Sequence, residues 1–428
     1  MTESPSEPST SDGRGRFPDR GLTRSELSAE LEEAARHNVD WRGRMASGVN
    51  YFVSDEVVEV AKEAYLRFFS TNALYRGYFP GVARFEHEII DIAADIFHGP
   101  HARGSVTSGG SESILTAVKS ARDRARATHP AIHRPEMVVP ASAHPAFWKA
   151  AHYFGFEVRK VPLDDEHQVD LDRYESAIGD DAVLLVGSAP SLTLGMVDPI
   201  PTMARWAAEK DINFHVDACV GGWFLPFAED IGEEFPTFDF RTPGVTTISA
   251  DLHKFGYGAK GASVIISRDA EIYRHQEFRF GAPERNADWY VTPSLTGTRP
   301  GGAIAAAWAV LRYLGRDGYR RVVDESLDFI RQLQRGIDAI DGLHVMGRPA
   351  MTLFAYGSDT LDVFAVAAGL TERGWLVSRD TWPVPCIRFM QSLGHAPLVD
   401  RYLSDLEEVA GLVRSGALAS EGGRADYT

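Results

Sequence analysis

The segment Ser249-Ala250-Asp251-Leu252-His253-Lys254-Phe255-Gly256-Tyr257 follows a short apolar run at 246–249 and leads into the glycine-containing stretch 258–261. A lysine at the end of a buried strand can be desolvated enough to act as an imine-forming amine, and an adjacent histidine can reach a phosphate. An isolated lysine of this kind is more often a surface residue on a loop. The segments on either side therefore decide its interpretation.

Short apolar runs alternate with helical patterns on both sides of this lysine. One intervening helix, Pro201 to Glu209, carries its proline at the start, where a missing N–H is tolerated. The predicted strands are 137–140, 183–186, 213–216, 246–249 and 262–266. Strands that alternate with helices predict an α/β fold with a mostly parallel sheet covered on both faces.

The chain divides into four predicted segments. Residues 1–24 are rich in Ser, Pro, Gly and charges, which predicts a disordered tail, and residues 25–83 form an N-terminal helical segment. A large α/β domain is expected over 84–315. A smaller α+β domain follows over 316–428, where a long helix to Ile340 precedes short apolar runs.

Composition excludes several classes of function. The chain has 428 residues, 44% of them hydrophobic, and a net charge of -16, which argues against a broad electrostatic hold on nucleic acid or an anionic membrane. Cys219 and Cys386 lack partners at metal-ligand spacing, so neither a disulfide framework nor a metal site is expected, and a cytoplasmic protein fits best. No run approaches the ~20 apolar residues of a membrane helix. Because the chain as a whole is acidic, any anionic substrate must be bound by groups within its own site.

Three further segments carry groups suited to one chemistry. Asp217 ends the predicted strand 213–216, where its carboxylate can pair with a protonated pyridine nitrogen, or can cap a helix or form a salt bridge. The loop 107–113 precedes a helix and offers backbone N–H groups to a phosphate, although such a turn is more often a simple N-cap. The imidazole of His144 can stack on a pyridine ring, but a lone histidine is more often structural.

Together these segments resemble the fold-type-I pyridoxal 5'-phosphate (PLP) enzymes of the group II decarboxylase family, and within it most closely the sphingosine-1-phosphate lyases of the soluble bacterial type. The resemblance extends from about Tyr51 to Arg414. Its motifs are 72–74, 79–81, 107–113, 142–144, 150–155, 215–219, 249–254 and 297–302. It implies the aspartate aminotransferase-like fold, with a sheet of the seven-stranded type in the large domain.

The resemblance also implies roles for individual residues. Lys254 is similar to the lysine that holds PLP as a Schiff base, Asp217 to the partner of the pyridine nitrogen and His144 to the stacking imidazole. The other implied cofactor contacts are Gly109, Gly110, Ser111, Ser249, His253, Thr298 and Gly302. The last two lie in a loop similar to the one that reaches the neighbouring subunit's cofactor. A homodimer with a shared active site is implied.

Two departures from the lyase pattern concern the substrate. Tyr75, close to the predicted substrate residue Asn72, stands where the lyases have an active-site histidine, and we expect it to act in catalysis although its reference pKa is about 10. Arg388 stands where the lyases have another histidine, and it can hold a carboxylate with paired hydrogen bonds. The alternative for Arg388 is a surface residue on an edge strand.

Three functions are compatible with these residues. The first is a PLP-dependent carbon–carbon lyase that cleaves a phosphorylated or otherwise anionic β-hydroxy amine in a retro-aldol manner. The second is an amino-acid α-decarboxylase, which shares the same lysine and ring partners. The third is a binding protein without activity. The similarity at Ala151-His152-Tyr153-Phe154-Gly155 and Arg299-Pro300-Gly301-Gly302 favours the lyase.

Overall fold

The structure is a computed structural model that describes residues 17, 19–44, 48, 50–282 and 287–419. Most of the predicted tail, residues 1–16 and 18, lies outside this description. The chain divides into two compact units, residues 1–41 and 42–428. In the first unit, helix α1 (Arg24–Arg36) begins at a capping box in which Thr23 and Glu26 each accept the other's backbone N–H.

The second unit begins with two helices. Helix α2 (Asp55–Arg67) is capped by Ser54, whose hydroxyl accepts the backbone N–H of Val57. Helix α3 (Pro80–Ile96) has its proline in the first turn, where no intrahelical partner is lost. Helix α2 lies within the helical segment predicted over 25–83, whereas α3 begins at Pro80, inside that segment, and continues beyond its predicted end to Ile96.

A seven-stranded sheet follows. Its spatial order is β1-β7-β6-β5-β4-β2-β3, in which β7 is antiparallel to β1 and β6 and the other neighbouring pairs are parallel. The strands are β1 (Arg103–Thr107), β2 (Glu136–Pro140), β3 (Glu157–Val161), β4 (Ala182–Ser188), β5 (Asn213–Asp217), β6 (Thr247–Ala250) and β7 (Ser263–Ser267). The predicted mostly parallel sheet is confirmed.

Helices cover this sheet on both faces. Met137 and Val139 of β2 belong to one buried cluster with α4 and α5, whereas Val138 belongs to the other and larger cluster. This alternation is what a strand buried on both faces requires. The covering helices are α4 (Gly110–Thr128), α5 (Ala146–Phe154), α6 (Leu171–Ser176), α7 (Ile200–Glu209), α8 (Leu225–Asp230) and α9 (Ala270–Arg274).

The C-terminal part contains a hairpin, a long helix and a second sheet. Helix α10 (Gly301–Asp338) is kinked at Gly315, whose φ of 57° and ψ of -179° favour glycine. The other elements are β8 (Phe278–Ala282), β9 (Ala287–Thr292), β10 (His344–Val345), β11 (Leu353–Gly357), α11 (Val363–Glu372), β12 (Ser378–Asp380), β13 (Cys386–Met390), a 3-10 helix (Leu393–Leu398) and α12 (Val399–Arg414). The kink coincides with the predicted boundary at 315, but residues 42–428 form one compact unit, so the domain boundaries remain predictions.

The sheet topology determines where polar side chains meet. Strands β1, β2, β5 and β6 run in one direction, so the residues that follow them emerge at one edge, where ligands of open α/β sheets bind. No helix among the described residues is long and apolar enough to cross a membrane.

Candidate active site

Lys254 lies in the turn after β6, with 18% of its side chain exposed and its Nζ 3.1 Å from Oδ2 of the buried Asp251. Burial alone would lower the pKa of Lys254, but the attraction of Asp251 raises it above the usual value. Burial in turn favours a higher pKa for Asp251, and Lys254 outweighs this and holds that pKa well below its usual range. The lysine is therefore a protonated ammonium paired with a carboxylate.

Asp217 ends β5 and is held by a chain of buried polar groups. Its Oδ1 accepts the backbone N–H of Cys219 at 3.1 Å and the hydroxyl of Ser249 at 3.4 Å. Ser249 Oγ lies 3.2 Å from Nε2 of His215, whose Nδ1 lies 2.9 Å from the hydroxyl of Thr247. Burial lowers the pKa of His215 to about 4, so its imidazole is neutral. Because the imidazole of His215 is neutral, it can accept from the hydroxyl of Thr247 and donate to Ser249. The hydroxyl of Ser249 is then free to donate to Asp217.

His144 lies in the loop after β2. Its Nδ1 accepts the backbone N–H of Ala146 at 3.1 Å, which leaves the proton on Nε2. Burial lowers the pKa of His144, and the charges that act on it include those of Asp217, Lys254 and Arg388. His144 therefore lies within electrostatic range of the predicted lysine and aspartate.

The glycine-rich loop before α4 approaches the same group closely. A Cβ at Gly109, whose φ is +157°, would lie 3.1 Å from Cε1 of His253, and one at Gly110 would lie 2.8 Å from Oδ2 of Asp251. Both positions therefore require glycine. Asp251 Oδ1 is buried without a hydrogen-bond partner in the described part of the chain, which is unusual for a buried polar atom. A lysine and a glycine cradle at a helix N-terminus fit a phosphorylated aldehyde cofactor.

Arg388 lies on β13, which is an inner strand between β11 and β12, and its side chain is 8% exposed. The alternative of a surface residue on an edge strand is therefore wrong. Its Nε donates to Asp380 Oδ2 at 2.8 Å, and Nη2 donates to Ser378 Oγ at 3.2 Å.

The remaining predicted residues form a second group. Asn72 pairs with Pro300 in an isolated bridge, and its Oδ1 accepts the backbone N–H of Tyr75 at 3.2 Å. Tyr75 is 56% exposed, Thr298 is exposed, and Gly302 is buried against the backbone of Tyr65. Neither Tyr75 nor Thr298 is seen to contact the Lys254 group among the residues that the structure describes.

Several residues of the Lys254 group were not predicted from the sequence. Tyr51 lies with its ring 5.0 Å from that of Phe255, and Lys260 Nζ lies 4.9 Å above the Tyr51 ring. Lys260 also donates to the carbonyl of His253 at 3.1 Å. Asp251 and His215 are two further residues of this kind, and their spacing is the sequence signal for them. Asp251 lies three residues before Lys254, and His215 lies two residues before Asp217 on the same face of β5.

The comparisons with known proteins agree with this geometry. Residues 55–357 match the family model for the pyridoxal-dependent decarboxylase conserved domain. The chain belongs to this family. It is therefore a fold-type-I PLP enzyme, and the interpretation as a binding protein without activity no longer applies.

Among its relatives, the sphingosine-1-phosphate lyase of Oryza sativa is 37% identical over 96% of this chain and 77% of its own length. A solved sphingosine-1-phosphate lyase of Burkholderia pseudomallei is 40% identical, with a TM-score of 0.89 over 96% of both chains. A probable L-aspartate decarboxylase of Pyrococcus abyssi is 30% identical over 92% of this chain and 99% of its own. This chain is a PLP-dependent lyase.

Proposed function

We propose that this lyase cleaves the Cα–Cβ bond beside a hydroxyl group in a phosphorylated or otherwise anionic β-hydroxy amine, releasing an aldehyde and a smaller amine. The anionic group of the substrate is inferred from one observation, the buried guanidinium of Arg388, whose charge acts on His144. Because the net charge of the chain is -16, such a substrate needs a local cation. The similarity to sphingosine-1-phosphate lyases supports the choice of bond.

Five parts of the site would hold the cofactor. The amine of Lys254 would hold PLP covalently, Asp217 would pair with the pyridine nitrogen, and His144 would cover the ring. The backbone N–H groups of 109–111 and the imidazole of His253 would bind the phosphate. When bound, PLP supplies an electron-poor ring that accepts the electron pair of the cleaved bond.

Asp217 must stay ionised to keep the ring nitrogen protonated. The hydroxyl of Ser249 and the backbone N–H of Cys219 both donate to Oδ1, which stabilises the charged form. We therefore assign Ser249 to the support of Asp217, together with the neutral His215 behind it.

Lys254 must give up a proton before it can act as a nucleophile, since only the free amine attacks an aldehyde. Asp251 Oδ2, at 3.1 Å, holds the ammonium in place until then. The same carboxylate lies 3.6 Å from His253 Nε2, so it also orients the imidazole that faces the phosphate.

The hydroxyl proton of the substrate must leave as the bond breaks. Within one chain, Tyr51 is a phenol that packs on Phe255, next to Lys254, and the ammonium of Lys260 lies 4.9 Å above its ring, where it would stabilise a phenolate. Tyr75, predicted to be catalytic, is exposed on the second group of residues and would reach a site from a partner subunit.

We also propose a homodimer and a cytoplasmic location. Tyr75 and the 82% exposed Tyr78 lie beside the loop that carries Thr298, an arrangement suited to completing a site across an interface. Cys219 and Cys386 are both buried free thiols, which suits a reducing compartment.

An α-decarboxylase is the second candidate, favoured by the match to the decarboxylase from Pyrococcus abyssi. Both reactions use the same lysine and carboxylate, so products must separate them. We expect the purified holoenzyme, incubated with phosphorylated sphingoid bases, to release aldehyde that a hydrazine traps. Carbon dioxide from an amino-acid panel, with no trapped aldehyde, would favour the decarboxylase instead.

A further inference from the structure

Glu112, in the first turn of α4, is a buried carboxylate that joins two separate loops. Its Oε2 accepts the backbone N–H of Ser108 at 2.7 Å. Its Oε1 accepts the backbone N–H groups of Leu295 at 2.9 Å and Thr296 at 3.1 Å, and the hydroxyl of Thr296 at 3.4 Å. No individual role was predicted for Glu112 from the sequence.

Both loops belong to the proposed cofactor machinery. Ser108 directly precedes Gly109, Gly110 and Ser111, whose N–H groups are assigned to the phosphate. Residues 295–296 directly precede the loop 297–302, which carries Thr298 and is expected to serve the partner's site. Glu112 and Leu295 are 183 residues apart in the sequence.

Both loops are attached through hydrogen bonds to the same carboxylate. In the described part of the chain Glu112 forms no ion pair with a lysine or arginine, and its hydrogen-bond donors come from the two loops. Hydrogen bonds to an ionised acceptor are stronger than neutral ones, and a buried carboxylate that loses its donors is costly. A movement of either loop therefore weakens the attachment of the other.

We propose that Glu112 is a positioning residue that couples order in the cofactor-phosphate loop to order in the loop 295–302. This rests on the proposed function, in which phosphate binds at 109–111. Binding of PLP then rigidifies the backbone at 295–296 without touching it. In a homodimer this links cofactor binding in one site to the loop that serves the other.

Amide hydrogen exchange tests the coupling. In the wild-type protein we expect PLP to slow exchange of the amides of Leu295 and Thr296 about tenfold or more. Pyridoxal, which reacts with Lys254 but carries no phosphate, should give much less protection at these two amides. Equal protection by pyridoxal, or no response to PLP, would overturn the proposal, and neither measurement needs a variant.

Glu112→Gln provides the second test. A glutamine has one acceptor oxygen and turns an NH2 group towards backbone N–H donors, so it can serve only one of the two loops. We expect PLP to bind this variant about tenfold more weakly and the exchange response at 295–296 to fall below about twofold. The same change at the exposed Glu175 is the matched control and should leave both quantities unaltered.

The outcomes separate this proposal from the proposed function. A wild-type protein that forms no covalent link between PLP and Lys254 would refute the function itself. Normal PLP binding, with a response at 295–296 that is as large in Glu112→Gln as in the wild type, would refute only the coupling. Unchanged exchange in the strands β4 and β5 verifies that the variant is folded.

Discussion

A pair of variants can separate the proposed role of Arg388 in substrate binding from its buried ion pair with Asp380. Its guanidinium and the carboxylate of Asp380 are 8% and 9% exposed and lie 2.8 Å apart, so Arg388→Met leaves an uncompensated buried charge. Breaking a buried pair in this way costs about 3–5 kcal/mol of the free energy of unfolding. The double variant Arg388→Met with Asp380→Asn removes both charges and should come within about 2 kcal/mol of wild type, because replacing a whole buried pair is often close to neutral.

Substrate binding should follow a different pattern. If Arg388 holds the anionic group of the substrate, both variants lose this contact, and KM should rise by about 10- to 100-fold, or about 1.4–2.7 kcal/mol. The loss should be the same in the single and the double variant, since both lack the guanidinium.

The assay is chemical denaturation for the stability and aldehyde release for the kinetics, with an anionic substrate and a neutral amine of the same chain length. The neutral amine should show a change in KM of no more than about twofold. A double variant that recovers stability and also keeps the wild-type KM for the anionic substrate would refute the role in binding. Arg388 would then serve only the packing of β12 and β13.

The other predictions concern the cofactor, its ring partners, pH and proton transfer. Lys254→Ala should lose the visible absorption band that borohydride bleaches irreversibly in the wild type, and a band that persists would assign another lysine. Asp217→Asn should lower kcat more than His144→Ala, because only the carboxylate keeps the ring nitrogen charged; the reverse order of the two rate constants would make His144 an acid or base. Burial lowers the pKa of His215 to about 4, so about 3 kcal/mol of stability present above pH ~6.5 should be lost as the pH falls towards 4, and denaturation curves of His215→Asn should lack this loss. Tyr75→Phe should lower kcat with little change in KM, and unchanged kinetics would place this phenol outside the reaction.

The sheet and the residues at its edge follow from local sequence patterns. The predicted strand 213–216 is β5, Asn213–Asp217, and the predicted strand 246–249 is β6, Thr247–Ala250. Because parallel strands end at one edge, two short apolar runs, each followed within a few residues by a functional side chain, were enough to bring Asp217 and Lys254 together. Their closeness needs no long-range information beyond the order of the strands.

The pairs that could not be predicted depend on how distant segments meet. Arg388 and Asp380 are only eight residues apart, yet they face each other because β12 and β13 form a hairpin, and the sequence did not distinguish that hairpin from an edge strand. Glu112 and Leu295 are joined across 183 residues by a hydrogen bond that only the tertiary fold brings about. The hydrophobic periodicity of the sequence does not predict such contacts, since each side chain fits its own helix or loop equally well without the other.

Tyr75 illustrates a third case, in which one chain is too little to define the site. Its ring is 56% exposed and contacts Tyr78, whereas the catalytic role expected from its position requires a buried contact near a cofactor. Thr298 shares this exposure, and both lie on segments joined through the hydrogen bond from the backbone N–H of Ala73 to the carbonyl of Arg299, at 3.0 Å. Two exposed predicted site residues on adjoining segments are what the proposed homodimer requires, since in it Tyr75 would complete the site of the partner subunit.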